Sequence, residues 1–118
     1  MEITHLPQPQ FDPEDLIDRM MGNEELARKI VGVFLEDVPL QLMALQQALA
    51  THDTTASSRI AHSIRGAASN AGGESLVELA RGIEQASSEG KFDQVSELVP
   101  QLEDRFVQLK PLLEQFCR

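Results

Sequence analysis

The chain has 118 residues, 42% of them apolar, with five Phe and neither Trp nor Tyr; this is enough for one hydrophobic core and too little for two ordinary domains. Nineteen acidic against ten basic side chains leave a net charge of -9, which repels nucleic acid and anionic membrane over most of the exterior and excludes both as expected partners. Cys117 is the single cysteine, so no intramolecular disulfide can form, and no run approaches the ~20 apolar residues of a membrane span. A cytoplasmic location without direct membrane contact is expected.

Residues 1–10, with Pro7 and Pro9 among polar neighbours and no basic-then-apolar order of a signal peptide, read as a loose leader or as a linker from a longer chain. The domain itself is expected over residues 11–118. Asp12-Pro13-Glu14-Asp15 is a helix start, with an Asp able to cap and Pro at the first helical position; Gly22-Asn23 ends that short helix. From Glu24 onward Leu26, Ile30, Phe34, Val38, Leu42, Leu45 and Leu49 recur at the spacing of one buried face, predicting a long helix that Pro39 kinks rather than breaks.

His52-Asp53-Thr54-Thr55 supplies a turn and a cap for a third helix through Asn70, stopped by Gly72-Gly73. A fourth helix carries Leu76, Leu79, Ala80 and Ile83 and stops at Gly90. The last, Phe92 to Phe116, repeats Val95, Leu98, Val99, Leu102, Phe106, Leu109 and Leu113, with Pro100 and Pro111 as kinks. Four long amphipathic helices joined by short connections predict an all-α fold. Its expected form is an antiparallel up-down-up-down four-helix bundle with the short N-terminal helix laid across one end.

The chemistry concentrates in Ala61 to Gly72. At about 100° per residue, Ile60, Ile64, Ala67 and Ala71 cluster on one side of the third helix, and His62 points away from them into solvent. Its neighbours on the outer face are Ser58, Arg65, Gly66 and Ser69. Glycine in a helix interior costs roughly 1 kcal/mol relative to Ala, so Gly66, one turn after an exposed histidine, suggests a surface that another molecule approaches closely. An imidazole neutral near physiological pH has a free lone pair with which to attack phosphorus. Arg65, one turn along, offers a planar fork for the oxygens of the product.

A lone surface histidine is ordinarily a solvated side chain; the Arg and Gly at these offsets change that. A metal site is not expected, because His5, His52 and His62 fall in the leader, a turn and an outer face. Neither a nucleophile elbow nor a phosphate-binding Gly-rich loop is present, which disfavours hydrolytic or nucleotide chemistry. Cys117, close to a fraying terminus, needs no role.

In the run His62, Ile64, Arg65, Gly66, Ala67 and Ala68 the sequence resembles the histidine-containing phosphotransfer (HPt) family of two-component phosphorelays. The similarity takes in Phe34-Leu35-Glu36-Asp37, Leu45 and Leu49 before the run and Leu76, Leu79 and Ile83 after it, nearly everything beyond Gln10. Ala71 departs from the pattern, standing where the family usually has a branched aliphatic residue.

The resemblance implies that His62 is the phospho-acceptor, that Arg65 steadies the phosphoryl group and that Gly66 clears space for a partner. It places Glu84 on the next helix against the histidine ring, keeping the far nitrogen protonated. The implied activity is carriage of a phosphoryl group between receiver domains of a response regulator or a hybrid histidine kinase. The chain would be a carrier without kinase activity of its own, free-standing or part of a hybrid sensor kinase, and a monomer. It would need no cofactor, since Mg²⁺ belongs to the receiver. Docking is expected through Ser63, Arg65, Ser69, Asn70 and apolar patches of the long second helix. The alternatives are a non-phosphorylated helical adaptor that docks a receiver or kinase through the same face, and a purely structural helical module.

Overall fold

The first three helix starts are set locally, by side chains that accept hydrogen bonds from backbone N–H groups left free in the first turn. Asp12 accepts from the Asp15 amide at 3.1 Å, Asn23 from Leu26 at 3.0 Å and Asp53 from Ala56 at 3.0 Å. The computed structural model describes residues 11–118, so the leader or linker read into residues 1–10 lies outside the described residues. In chain order the helices are α1 (Pro13–Arg19), α2 (Glu24–Ala50), α3 (Thr54–Ala71), α4 (Glu74–Ser88) and α5 (Phe92–Cys117).

Helix α3 ends where Gly72 takes a left-handed conformation, φ 82°, which only glycine adopts without strain. The Gly73 amide then reaches back to the Ala68 carbonyl at 2.8 Å, closing the end and reversing the chain within two residues. Pro39, Pro100 and Pro111 lie inside helices that run on past them. Each removes one backbone N–H but sits on an exposed or half-buried flank, where water can reach the carbonyl left over.

Helix α2 packs on α3, α3 on α4, α4 on α5, and α5 returns to α2, the closed ring of an up-down-up-down bundle. The α2–α5 pair is antiparallel, since Arg28 Nε donates to the Phe116 carbonyl at 3.2 Å while Gln46 pairs with Glu103 at 2.7 Å. Helix α1 crosses one end. Phe11, just before it, meets Phe116 edge-on at 5.3 Å, and Arg19 Nη1 donates to the Ser69 carbonyl of α3 at 3.2 Å. At the opposite end His52 stacks on Phe92 at 4.0 Å.

Most expected apolar positions are buried, Phe34, Val38, Leu42 and Leu45 of α2 and all of the α5 period except Leu98 among them, and the departures fall mainly near the ends of α2 and along α3. In α2 the core takes Ala27, Val31 and Ala48, while Ile30 and Leu49 are half-buried and Leu26 is 41% exposed. In α3 it takes Ser57, Ala61, Ile64, Ala68 and Ala71, leaving Ile60 and Ala67 on the flank. Leu79 and Leu98 are likewise only half-buried. Small residues, Ala27 and Ala48 of α2 and Ala61 and Ala68 of α3 among them, face inward. The half-buried aliphatics then fill the seams to either side.

Candidate functional site

Ala61 and Ile64, both fully buried, fix the rotation of α3 about its axis. With them inward, His62 projects from the ridge with its side chain 65% exposed. Ile83 and Ala80 fix α4 in the same way. Glu84, the residue after Ile83, falls at the α4 edge facing α3 with its side chain 25% exposed.

The sequence separates these groups by 22 positions, and the bundle brings them together. Glu84 Oε2 lies 2.7 Å from His62 Nδ1, and Arg65 Nε donates to Glu84 Oε1 at 2.8 Å. Arg65 Nη2 stands 3.0 Å from the same Nδ1. Arg65 is 30% exposed, so the three groups form a partly shielded triangle under one open ring nitrogen. The Arg65 guanidinium, with a smaller contribution from His62, holds the Glu84 carboxyl below the usual carboxylate range against the opposing effect of burial. An ionised carboxylate accepts only, so the hydrogen in the 2.7 Å contact belongs to Nδ1, and Arg65 Nη2, itself a donor, is a close neighbour of that nitrogen and not its hydrogen-bond partner. Nε2 then carries the lone pair, with no partner among the described residues.

Gly66 lies one turn beyond His62 on the exposed ridge, and a Cβ built there would meet nothing within 4 Å. Packing within the chain therefore does not require glycine at this position. Ser63, Ser69 and Asn70 are exposed along the same ridge. Two grooves flank it. Toward α4 an open, hydroxyl-rich groove of roughly 530 Å³ includes Thr55, Ser58, Arg59, His62, Glu84 and Ser88. Toward α2 a more apolar groove of roughly 360 Å³ is lined by Leu26, Ile30, Val33 and Phe34, with Ala67 and Asn70 on the α3 side. Among the described residues no three His, Cys, Asp or Glu side chains gather as a metal site, and no helix is long and apolar enough to cross a membrane.

The Hpt domain model matches residues 29–116 of the chain. The chain belongs to the Hpt domain family. The crystal structure of histidine-containing phosphotransfer protein B (HptB) from Pseudomonas aeruginosa PAO1 superposes with a TM-score of 0.84, at 26% identity over 92% of this chain and 95% of that one. No curated protein sequence matches. Membership assigns the chain a role in histidine phosphotransfer within two-component signalling, as a phosphocarrier whose interaction partners are receiver domains.

Every site residue singled out in the sequence lies on or beside this ridge. Sequence reasoning placed Arg65 and Glu84 each against the histidine but missed that they hold each other. Opposite charge was the available signal, but nothing in a spacing of 19 residues specifies the contact. Leu26 and Ile30, which stand on the apolar period of α2, border the open groove and not the core. Cys117 is not at a loose end: it is half-buried in α5, donates to the Arg28 carbonyl at 3.6 Å, and burial pushes its thiol up.

Proposed function

We propose that this Hpt chain carries a phosphoryl group on Nε2 of His62, accepting it from a receiver aspartyl phosphate and delivering it to a second receiver. The observation that carries this reading is an exposed imidazole whose other nitrogen is already engaged by Glu84. In-line attack by Nε2 forms the N–P bond as the aspartyl O–P bond breaks and the carboxylate departs. Mg²⁺ and most of the charge neutralisation come from the receiver, while this chain contributes a nucleophile on an accessible ridge. Arg65 steadies the incoming oxygens, exchanging part of its contact with Glu84 for them. Gly66 keeps the approach open, and Ser63, Ser69, Asn70 and the α2 groove dock the visiting domain. An interface at or below about 1,200 Å² suits a partner that must leave again. The chain works as a cytoplasmic monomer with no kinase activity of its own.

The test is incubation with a phosphorylated receiver, followed by detection of acid-labile, base-stable phosphate on His62 and its onward passage to fresh receiver. Replacing His62→Gln is expected to leave docking intact and abolish transfer. Undiminished signalling by that variant would favour a helical adaptor instead.

A further inference from the structure

None of the chain's 19 Asp and Glu residues falls within α3, whereas every other helix carries at least three. The permanently charged side chains of α3 are Arg59 and Arg65. Arg65 is engaged by Glu84 at 2.8 Å. Arg59 is exposed one turn before His62 and makes no ion pair or side-chain hydrogen bond among the described residues; no carboxylate stands three or four positions from it on its own helix. The acids nearest the groove that Arg59 borders are already occupied. Glu84 faces His62 and Arg65, Asp53 caps Ala56 at 3.0 Å, and Glu89, next to Gly90 at the far end, holds Lys91 at 3.1 Å. A chain with a net charge of -9 thus keeps a free guanidinium beside His62.

A domain that docks centred on His62 covers that guanidinium. Half of an interface of about 1,200 Å² is a disc of about 14 Å radius on each partner. Arg59 precedes His62 by about 4.5 Å along the helix axis and Thr55 by about 10.5 Å, so both lie under the footprint. Toward the C-terminal end of α3 the footprint meets Ser69, Asn70 and the apolar groove against α2. Toward the N-terminal end it is polar, with Thr55, Ser58 and Arg59 of α3 across an open groove from Ser88 of α4. A neutral surface laid over Arg59 would strip its water and return nothing, and a cationic one would add repulsion. We propose that Arg59 anchors this N-terminal half of the docking surface by pairing with a carboxylate on the rim of the incoming receiver, and so selects among receivers by the charge they carry there. This role presupposes transfer between His62 and a receiver, as proposed above, and names what on this chain tells one receiver from another. The guanidinium fork can donate to both oxygens of a carboxylate. It also supplies local attraction for an anionic, phosphorylated partner that most of this acidic chain repels.

The test measures transfer from a phosphorylated receiver as a function of its concentration at about 50 mM and about 500 mM NaCl, between which the Debye length falls from about 14 Å to about 4 Å. Binding of the unphosphorylated receiver is measured alongside by titration calorimetry. At the lower salt Arg59→Gln is expected to raise KM about threefold and Arg59→Glu about tenfold, while Arg59→Lys stays within about twofold of wild type. At the higher salt these differences shrink. The saturated rate and loading by phosphoramidate, which needs no partner, are expected to be unchanged, because Arg59 contacts neither the ring nor the phosphoryl group. Lys110→Gln removes the same charge from an exposed position on α5, diagonally across the ring of helices from α3, and is expected to leave KM unchanged. Equal KM values for wild type, Arg59→Gln and Arg59→Glu, an equal rise in Lys110→Gln, or a loss confined to the saturated rate would each overturn the role of Arg59. If a receiver binds wild type but transfers nothing, the relay falls, and Arg59 keeps its role only if the dissociation constants of the variants follow the same order. If no receiver either binds or transfers, both fall.

Discussion

Replacing Gly66 with Ala sets what the helix prefers against what a docking partner requires. Glycine in a helix interior costs roughly 1 kcal/mol relative to Ala, because its backbone loses more freedom on folding. The site is exposed, and a Cβ meets nothing within 4 Å, so no clash offsets the gain. Gly66→Ala should therefore stabilise the bundle by about 0.5–1 kcal/mol. For a chain of this size that raises the thermal midpoint by about 4 °C and the urea midpoint by about half a molar unit. Gly66→Leu retains most of the helical gain but stands a full side chain above the ridge. Transfer from a phosphorylated receiver should weaken slightly in the Ala variant and by more than about tenfold in the Leu variant, consistent with the loss of more than about 1.4 kcal/mol in the encounter. Loading by phosphoramidate, a small donor, should be unchanged in both. Loss of stability in Gly66→Ala would show that the chain needs glycine for its own packing; undiminished receiver transfer in Gly66→Leu would remove the clearance role.

Four further outcomes follow from the same geometry. Ile64→Ala opens a cavity beneath His62 at a fully buried position and should cost about 2–5 kcal/mol in urea unfolding. Asp53→Ala removes the 3.0 Å cap on Ala56 and should cost about 1 kcal/mol, read in the same assay. Glu84 is held below its ordinary value of 4.5, first by Arg65, so it contributes stability that is fully present above that value and lost as pH falls through the lowered one. Glu84→Gln should flatten that part of the acid limb in pH-dependent urea titrations, and an unchanged limb would contradict the pairing. The Cys117 thiol lies above its ordinary 9.0 because of burial, so iodoacetamide should modify it more slowly at about pH 8 in the folded chain than in urea.

Much of the architecture is legible in the chain before any coordinates. Asp12, Asn23 and Asp53 precede apolar periods, and Gly72-Gly73 stops one; these are local instructions, carried by hydrogen bonds and φ values spanning a few residues. The outward direction of His62 is legible for the same reason, since Ile64 and Ala71 lie on the buried side of α3 in sequence and structure alike. The buried faces are legible only in part, Phe34, Val38, Leu42 and Leu45 being buried on the expected period while others on it are not. Ile60, Leu26 and Leu49 look more apolar than Ala61, Ala27 and Ala48, yet the small residues face inward, and only the placement of neighbouring helices reveals which positions do so.

The site divides along the same line. Sequence alone determined that an exposed histidine stands one turn before an arginine and a glycine, because one helix fixes their mutual angles. Tertiary structure decided that Glu84 reaches both His62 Nδ1 and the Arg65 guanidinium. That contact depends on how far α4 is rotated and how closely it lies against α3, quantities set by the whole core and by no local run of residues.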